Sequence, residues 1–563
     1  MTNCEIPYLR PTPSSSQLIV NGQPFLMLPA ELQNSSLSSA DYMSTVWDNL
    51  KSCNFNTLLG GVPWEMIEPR EGDYNFTEID RIILDARQKE LRLVLLWFGS
   101  SKSGSSSYAP GWVKTDLHRF PRMKIREEDK QLKAIDAVSP FCEEAWQVES
   151  KAFSALMRHV KELDAQHHTV VMVQVQNECG VLKDSRDRSD LAEAAFRQAV
   201  PSALLEHLAG KQILHPDFDK RWPGFREYVA GQLPTSWEQV FGLGVPAEEV
   251  FMAHALATYV ERLAEAGKQE YPIPFFANVW LNTDDPSILD LGGISEKIGT
   301  HILAAGGSKP GDYPSGGPCP HTLDVWKFCA PSLDFIAPDT YLQEYESICK
   351  AYRHENQPLF IPEQRPDGRG ARRTWLAYGS YGALGCSPFG VDEIAAADSA
   401  FRKPYGLLAK MSKHILAAQA ANADDVFGFF FDPPTSVDSA KWVRKFGNLS
   451  LTVTRAFAFG QRTEGYGIII HRGQGRFLLM GEGYEVRFES TETNTTYTGI
   501  LEFDEIVVDE KGNLTKGRKL NGDERRGGEV AVMPAENPDY AGFPIRITVK
   551  ARTYVAKCVA YSV

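Results

Sequence analysis

The sequence predicts an α/β protein: a (β/α)8 barrel followed by a smaller antiparallel β-sandwich. Three observations carry this. Apolar, β-rich runs alternate with segments of helical period from about residue 25 to about residue 435, as repeated βα units around a buried parallel sheet require. Beyond about residue 440 the texture changes to short alternating runs separated by glycines and Asn/Asp turns. With 563 residues and 43% hydrophobic content, the chain can fill one large core and a second, smaller one.

Eight runs read as barrel strands: Phe25 to Pro29, Asn56 to Val62, Leu91 to Phe98, Val170 to Gln176, Pro274 to Val279, Phe335 to Pro338, Leu359 to Pro362 and Val426 to Phe431. Between the third and fourth, Phe153, Leu156, Met157, Val160 and Leu163 share one face at helical spacing, which is core packing. The stretches after the third and fourth runs are too long for simple βα units and read as insertions around the barrel mouth. The segments Ser100 to Tyr108 and Gly306 to Gly317 read either as loops shaping a pocket or as linkers. Later runs at Gly467 to Ile470, Gly475 to Met480, Tyr484 to Phe488, Glu505 to Val508 and Pro544 to Val549 belong to the sandwich. The expected domains are therefore residues 1–438, the barrel, and 439–563, the β-sandwich.

Composition excludes several classes. A net charge of -13 repels nucleic acid and anionic lipid but leaves a neutral substrate unaffected. Nine cysteines, an odd number without CxxC or metal-ligand spacing, read as free thiols in a reducing compartment. No apolar run approaches the roughly 20 residues of a membrane span, and the first residues lack a secretory pattern. The expectation is a cytoplasmic protein without membrane partners; sequons at Asn34, Asn75, Asn448, Asn494 and Asn513 keep secretion open, had a signal been removed. His167 and His168 precede the fourth run, at the bottom of the barrel, and have no carboxylate at ligand spacing. GQGRF at Gly473 is a hairpin turn rather than a phosphate loop, and no G-x-S-x-G elbow occurs. No cofactor or metal is expected.

In a parallel barrel the C-terminal strand ends face the active site, so polar residues ending an apolar run take priority. VVMVQVQNE ends in Asn177 and Glu178, and PLFIPE ends in Glu363. Strands four and seven face one another across the mouth, where two carboxyls about 5 to 5.5 Å apart bracket a glycosidic bond in a retaining glycosidase. Either glutamate alone would read as a solvated strand-end charge. Together they assign Glu178 as acid/base and Glu363 as nucleophile. Asn177 can hydrogen-bond the sugar 2-hydroxyl, a contact that strengthens in an oxocarbenium-like transition state. Trp64, Trp97 and Trp280 follow strand ends and are candidate stacking walls for a pyranose, with ordinary core packing as the equal alternative.

This strand-end pattern resembles clan A glycoside hydrolases. GGVPWEMIEPREGDYNF, from Gly60 to Phe76, is similar to their second-strand signature, and LPAELQNSS, LLWFGSSKSG, WVKTDLHRFPR and VQVQNECG support the likeness. Within the clan the chain looks most like a divergent branch of family 35, the β-galactosidases, with family 42 next. The resemblance spans about residues 20 to 435, and the C-terminal domain resembles that branch's accessory domain. It implies that Tyr341, in APDTY, holds the nucleophile through its hydroxyl. It also implies a retaining exo-acting enzyme removing terminal β-D-galactosyl residues from oligosaccharides or polysaccharide fragments, the aglycone being open between a disaccharide, a galactosylated plant cell-wall fragment such as xyloglucan, and a glycan. The sequence departs from the family 35 pattern by lacking a carboxylate after the third strand and a His-Tyr pair after the first. Glu31 with Asn34, or Glu65, would supply the hydroxyl-binding carboxylate instead. The alternatives are another retaining exo-β-glycosidase (family 42-like, a β-glucosidase or an arabinopyranosidase), a transglycosylase, or a carbohydrate-binding protein on an inactive barrel.

Overall fold

The computed structural model describes residues 5–104, 107–127, 129–231, 236–285, 289, 306–434, 440–546 and 552–563. Its centre is a parallel sheet of six strands: β1 (Pro29–Glu31), β2 (Thr57–Pro63), β3 (Arg92–Lys102), β4 (Val170–Asn177), β5 (Phe275–Trp280) and β6 (Phe335–Asp339), hydrogen-bonded in chain order. Two further strands, β7 (Ile361–Gln364) and β8 (Cys386–Pro388), pair parallel with each other. Single parallel bridges from Thr340 to Gln364 and from Glu31 to Phe389 join that pair to both edges of the sheet, so the eight strands form a ring.

The strands alternate between two cores. Along β3, Val94, Leu96 and Phe98 point into the ring, where they meet Leu59, Phe276, Phe335, Ala337 and Phe360. Leu93, Leu95 and Trp97 point outward against the helices. Helix Glu143–Asp164 lays Phe153, Leu156, Met157 and Val160 on that outer surface, each worth roughly 1.5 to 3 kcal/mol when fully buried. An antiparallel sheet of Tyr8–Pro11, Ser16–Val20 and Gln23–Pro24 contributes Leu18 and Val20 to the inner core.

The insertion after β3 contains an antiparallel hairpin, Arg122–Arg126 with Leu132–Val138. The one after β4 contains, among the described residues, five short helices between Asp190 and Phe241, before the long helix Val245–Glu270.

The eighth barrel strand corrects the sequence reading. Val426–Phe431 (β9) is not in the ring; it pairs antiparallel with Gly465–His471 and opens the C-terminal sheet, upstream of the expected boundary at 438/439. The physical reason is that β9 is buried on both faces. Phe427, Phe429 and Phe431 enter the β-domain core, while Val426 and Phe430 pack on the main core. A strand covered on both sides loses its polar alternation and reads like a parallel barrel strand. Helix Gly368–Ser380 approaches so closely that Gly379 and Gly428 meet backbone to backbone, where a Cβ would collide. The true β8, Cys386–Pro388, is too short to carry a periodic signal.

The C-terminal region pairs a six-stranded antiparallel sheet containing β9 with a four-stranded one, Trp442–Phe446, Leu449–Arg455, Tyr484–Ser490 and Val530–Met533. They share a core including Leu451, Val453, Leu479, Val486 and Phe503. The run expected at Pro544 to Val549 lies partly outside the described residues.

Candidate active site

At the C-terminal ends of the ring, β4 turns sharply. Simple alternation would send Asn177 and Glu178 to opposite faces, but Gln176 (φ 63°) and Glu178 (φ 44°) adopt left-handed backbone. For non-glycine residues such conformations cost of order 1 to 3 kcal/mol and are held by surrounding contacts. Here the contacts are specific. The Glu178 N–H donates to Asn278 Oδ1 at 2.8 Å, Ser103 Oγ donates to Glu178 Oε2 at 2.7 Å, and Lys102 Nζ donates to Asn177 Oδ1 at 2.6 Å.

Glu363 at the end of β7 meets this group from across the mouth. One carboxyl oxygen from each of Glu178, Asp339 and Glu363 lies within 4.8 Å of the other two. Tyr341 O–H donates to Glu363 Oε2 at 2.8 Å. Asn278 Nδ2, one strand over, donates to Asp339 Oδ2 at 2.7 Å. Glu31 at the end of β1 is buried and feels the charge of Glu363, Lys102 and Glu178.

Four carboxyls thus share a partly dry site with one ammonium. Burial, then the charge of Glu363, pushes Glu178 up to about 7. The same two causes, in that order, raise Glu31 and Asp339 well above the ordinary carboxylate range, while Lys102 opposes the rise in all three. Burial and the Glu363 charge likewise raise Tyr341, which keeps its hydroxyl protonated as a donor. Several buried polar atoms have no protein partner among the described residues: Glu31 Oε2, Asn177 Nδ2 and Trp280 Nε1. Unmade hydrogen bonds of this kind are costly and are suited to a polyhydroxylated ligand.

The structure therefore brings together Glu178, Glu363, Asn177, Tyr341 and Glu31. Trp280, half-buried and paired in register with Asp339, stands beside them. Three expected site residues go elsewhere. Trp97 occupies an outward position of β3, fully buried, with its Nε1–H donated to Glu149 at 2.9 Å. Trp64, also fully buried, donates to Glu68 at 2.8 Å and packs edge-on to Trp112. Glu65 is paired with Lys114 at 3.1 Å in a largely solvated bridge. Proximity to a strand end was the signal for all three, and it does not fix which face a side chain takes. Asn34 lies with its backbone carbonyl against Gly61 of β2, and its buried Oδ1 has no partner among the described residues.

Sequence reasoning passed over Asp339, Asn278, Lys102 and Ser103. Asp339 ends an apolar run as Glu363 does, so the strand-end rule could have found it. Lys102 and Ser103 were hidden because β3 continues past Trp97, through a register shift, until Lys102 pairs with Asn177.

Residues 39–207 match the model of glycoside hydrolase family 42, described as beta-galactosidase, and residues 401–531 match a domain of unknown function, DUF5597. The matching family is the one ranked second, after family 35, in the sequence reading. The first match contains Asn177 and Glu178. Glu363 lies between the two matches. Human beta-galactosidase-1-like protein 3 is 29% identical over 170 residues, 29% of this chain and 24% of that protein. The chain thus matches about a quarter of that relative's length. Among solved structures, the beta-galactosidase from Bacillus circulans sp. alkalophilus is 15% identical, with 69% of this chain and 57% of that chain covered and a TM-score of 0.43. The cold-adapted beta-galactosidase from Rahnella sp. R3 is 17% identical, with coverage of 72% and 57% and a TM-score of 0.42. A beta-mannanase from the blue mussel Mytilus edulis is 13% identical, with coverage of 72% and 96% and a TM-score of 0.40.

Proposed function

We propose that this chain is a retaining exo-β-galactosidase on a (β/α)8 barrel. The observation that carries the reading is the approach of Glu178 and Glu363 to within 4.8 Å, in unequal surroundings. Retaining glycosidases hold their two carboxyls about 5 to 5.5 Å apart, whereas inverting ones leave room for a water at about 6.5 to 9.5 Å. Glu178, pushed up to about 7, carries a proton near neutrality and gives it to the departing glycosidic oxygen. Glu363, held by the Tyr341 hydroxyl, attacks the anomeric carbon as a carboxylate and forms a glycosyl-enzyme. Glu178, now ionised, takes a proton from water, which displaces Glu363 and releases the sugar with its configuration retained. Asn177 Nδ2 meets the 2-hydroxyl, Glu31 Oε2 accepts from another ring hydroxyl, and Trp280 flanks the sugar. Galactose is favoured by the description of the family 42 model and the name of the human relative.

The experiment is hydrolysis of a panel of nitrophenyl β-glycosides by the wild type and by Glu363→Gly, with azide offered to the variant. Galactoside turnover lost in the variant and restored as α-galactosyl azide supports the whole reading. Preference for a glucoside or arabinopyranoside keeps the mechanism and replaces the sugar. Unchanged turnover in Glu363→Gly overturns the nucleophile.

A further inference from the structure

Asn278 links two acidic residues, and the direction of its bonds can be read. The Glu178 N–H can only donate, so the Asn278 atom facing it, at 2.8 Å, is Oδ1. That fixes Nδ2 as the atom facing Asp339, where it donates to Oδ2 at 2.7 Å. The other Asp339 oxygen, Oδ1, is buried and receives no hydrogen bond from the described residues. Its residue stands within 4.8 Å, oxygen to oxygen, of both Glu178 and Glu363, neither of which has a hydrogen to give when ionised. Two buried carboxyls this close to one another favour a state in which one of them keeps its proton over one in which both are anions.

We propose that Asp339 is a positioning residue for Glu178: a neutral carboxylic acid that accepts from Asn278 on Oδ2 and donates its own Oδ1 hydrogen to the Glu178 carboxylate. This rests on the reading of Glu178 as acid/base. Asp339 keeps its proton throughout the cycle, while Glu178 is the group that releases and regains one. The charged groups around Asp339 are Glu363, Glu178, Glu31 and Lys102, with the Tyr341 and Tyr352 hydroxyls nearby. Burial first, then the neighbouring Glu363 and, when ionised, Glu178 and Glu31, outweigh the one opposing ammonium of Lys102, so the neutral acid is the favoured form of Asp339. A fixed donor orients the Glu178 carboxylate and holds its proton affinity near neutrality, where the same group must serve as acid and then as base.

The sign of a titration shift tests this. The Glu178 carboxyl is followed by infrared difference titration in the wild type, in Asp339→Asn and in Asp339→Ala, its band being the one absent in Glu178→Gln. In Asp339→Asn the amide oxygen takes the bond from Asn278 and the amide N–H faces Glu178, so the midpoint stays within about 0.3 pH unit of the wild type. Asp339→Ala removes the donor and raises the midpoint by roughly one unit. Were Asp339 an anion, Asp339→Asn would remove a repelling charge and lower the midpoint by roughly a unit or more, which overturns the proposal, as does an unmoved midpoint in Asp339→Ala. If the alanine variant fails to fold, the asparagine variant decides alone. The readout needs no turnover, so a chain inactive on every glycoside but showing these midpoints would sink the proposed function and leave this contact standing.

Discussion

The Tyr341 hydroxyl, two residues beyond β6, donates a 2.8 Å hydrogen bond to Oε2 of Glu363 near the end of β7, at the point where the proposed nucleophile must be aimed. A phenol held well above its usual pKa by burial and by that same carboxylate keeps its proton and donates it to Oε2, which helps fix the Glu363 rotamer. Tyr341→Phe removes the donor without changing the shape of the site. Its kcat on an aryl galactoside should fall about 10- to 100-fold, the equivalent of one hydrogen bond to a charged group, with little change in thermal stability. A variant with wild-type kcat would remove Tyr341 from the site's machinery.

A pH profile follows from Glu178. Under the proposed mechanism, protonated Glu178 assists departure of a poor leaving group, and that form is lost as pH rises through about 7. kcat/KM for a glycoside with a poor leaving group should therefore decline above about pH 7. With a dinitrophenyl leaving group, which departs without help, that alkaline limb should flatten.

The same group sets a stability difference. Burial raises Glu178 in the folded state, so folding binds a proton that the unfolded chain releases above about 4.5, and stability falls as pH rises from there towards 7. Glu178→Gln cannot ionise. It should exceed the wild type by roughly 3 kcal/mol at pH 8 and match it at pH 4.5, as measured by denaturant unfolding at both pH values.

The tryptophans separate by face. Trp97 packs on Phe153 and donates to Glu149, inside the outer core. Trp97→Ala should cost about 3 to 5 kcal/mol of stability. Trp280, beside Asp339, should instead raise KM several-fold when replaced by alanine, at a smaller cost to folding. Melting curves and initial-rate kinetics on the two variants check both statements.

The loop that leaves Glu178 is anchored by buried ion pairs. Arg188 reaches Glu248 at 2.6 Å and Asp184 at 2.8 Å, and Arg186 reaches Glu248 at 3.2 Å. Glu248→Ala would leave two arginines buried without this carboxylate, at a cost of about 3 to 5 kcal/mol. Glu248→Gln keeps one acceptor and should lose less, which chemical denaturation of the pair can resolve.

The strand ends were legible in the sequence because hydrophobic runs and the polar residues that close them are local facts. Asn177, Glu178 and Glu363 stand out by position alone, and so does the change to antiparallel texture after about residue 440. What sequence could not supply was direction. Trp97 and Lys102 lie on the same strand, yet one faces the helices and the other the carboxylates. The two are five residues apart, so alternation puts them on opposite faces once the strand is known to run as far as Lys102, and its pairing with Asn177 of β4 is what shows that it does. The left-handed turns at Gln176 and Glu178 likewise depend on Asn278 and Ser103, distant in sequence, being present to hold them. The misassigned eighth strand has the same origin, since β9 is apolar on both sides only because a helix covers one face and the second sheet's core the other. Local periodicity records how much of a segment is buried. Tertiary packing decides against what, and so it alone placed Asp339 beside the two glutamates and raised Glu178 towards neutrality.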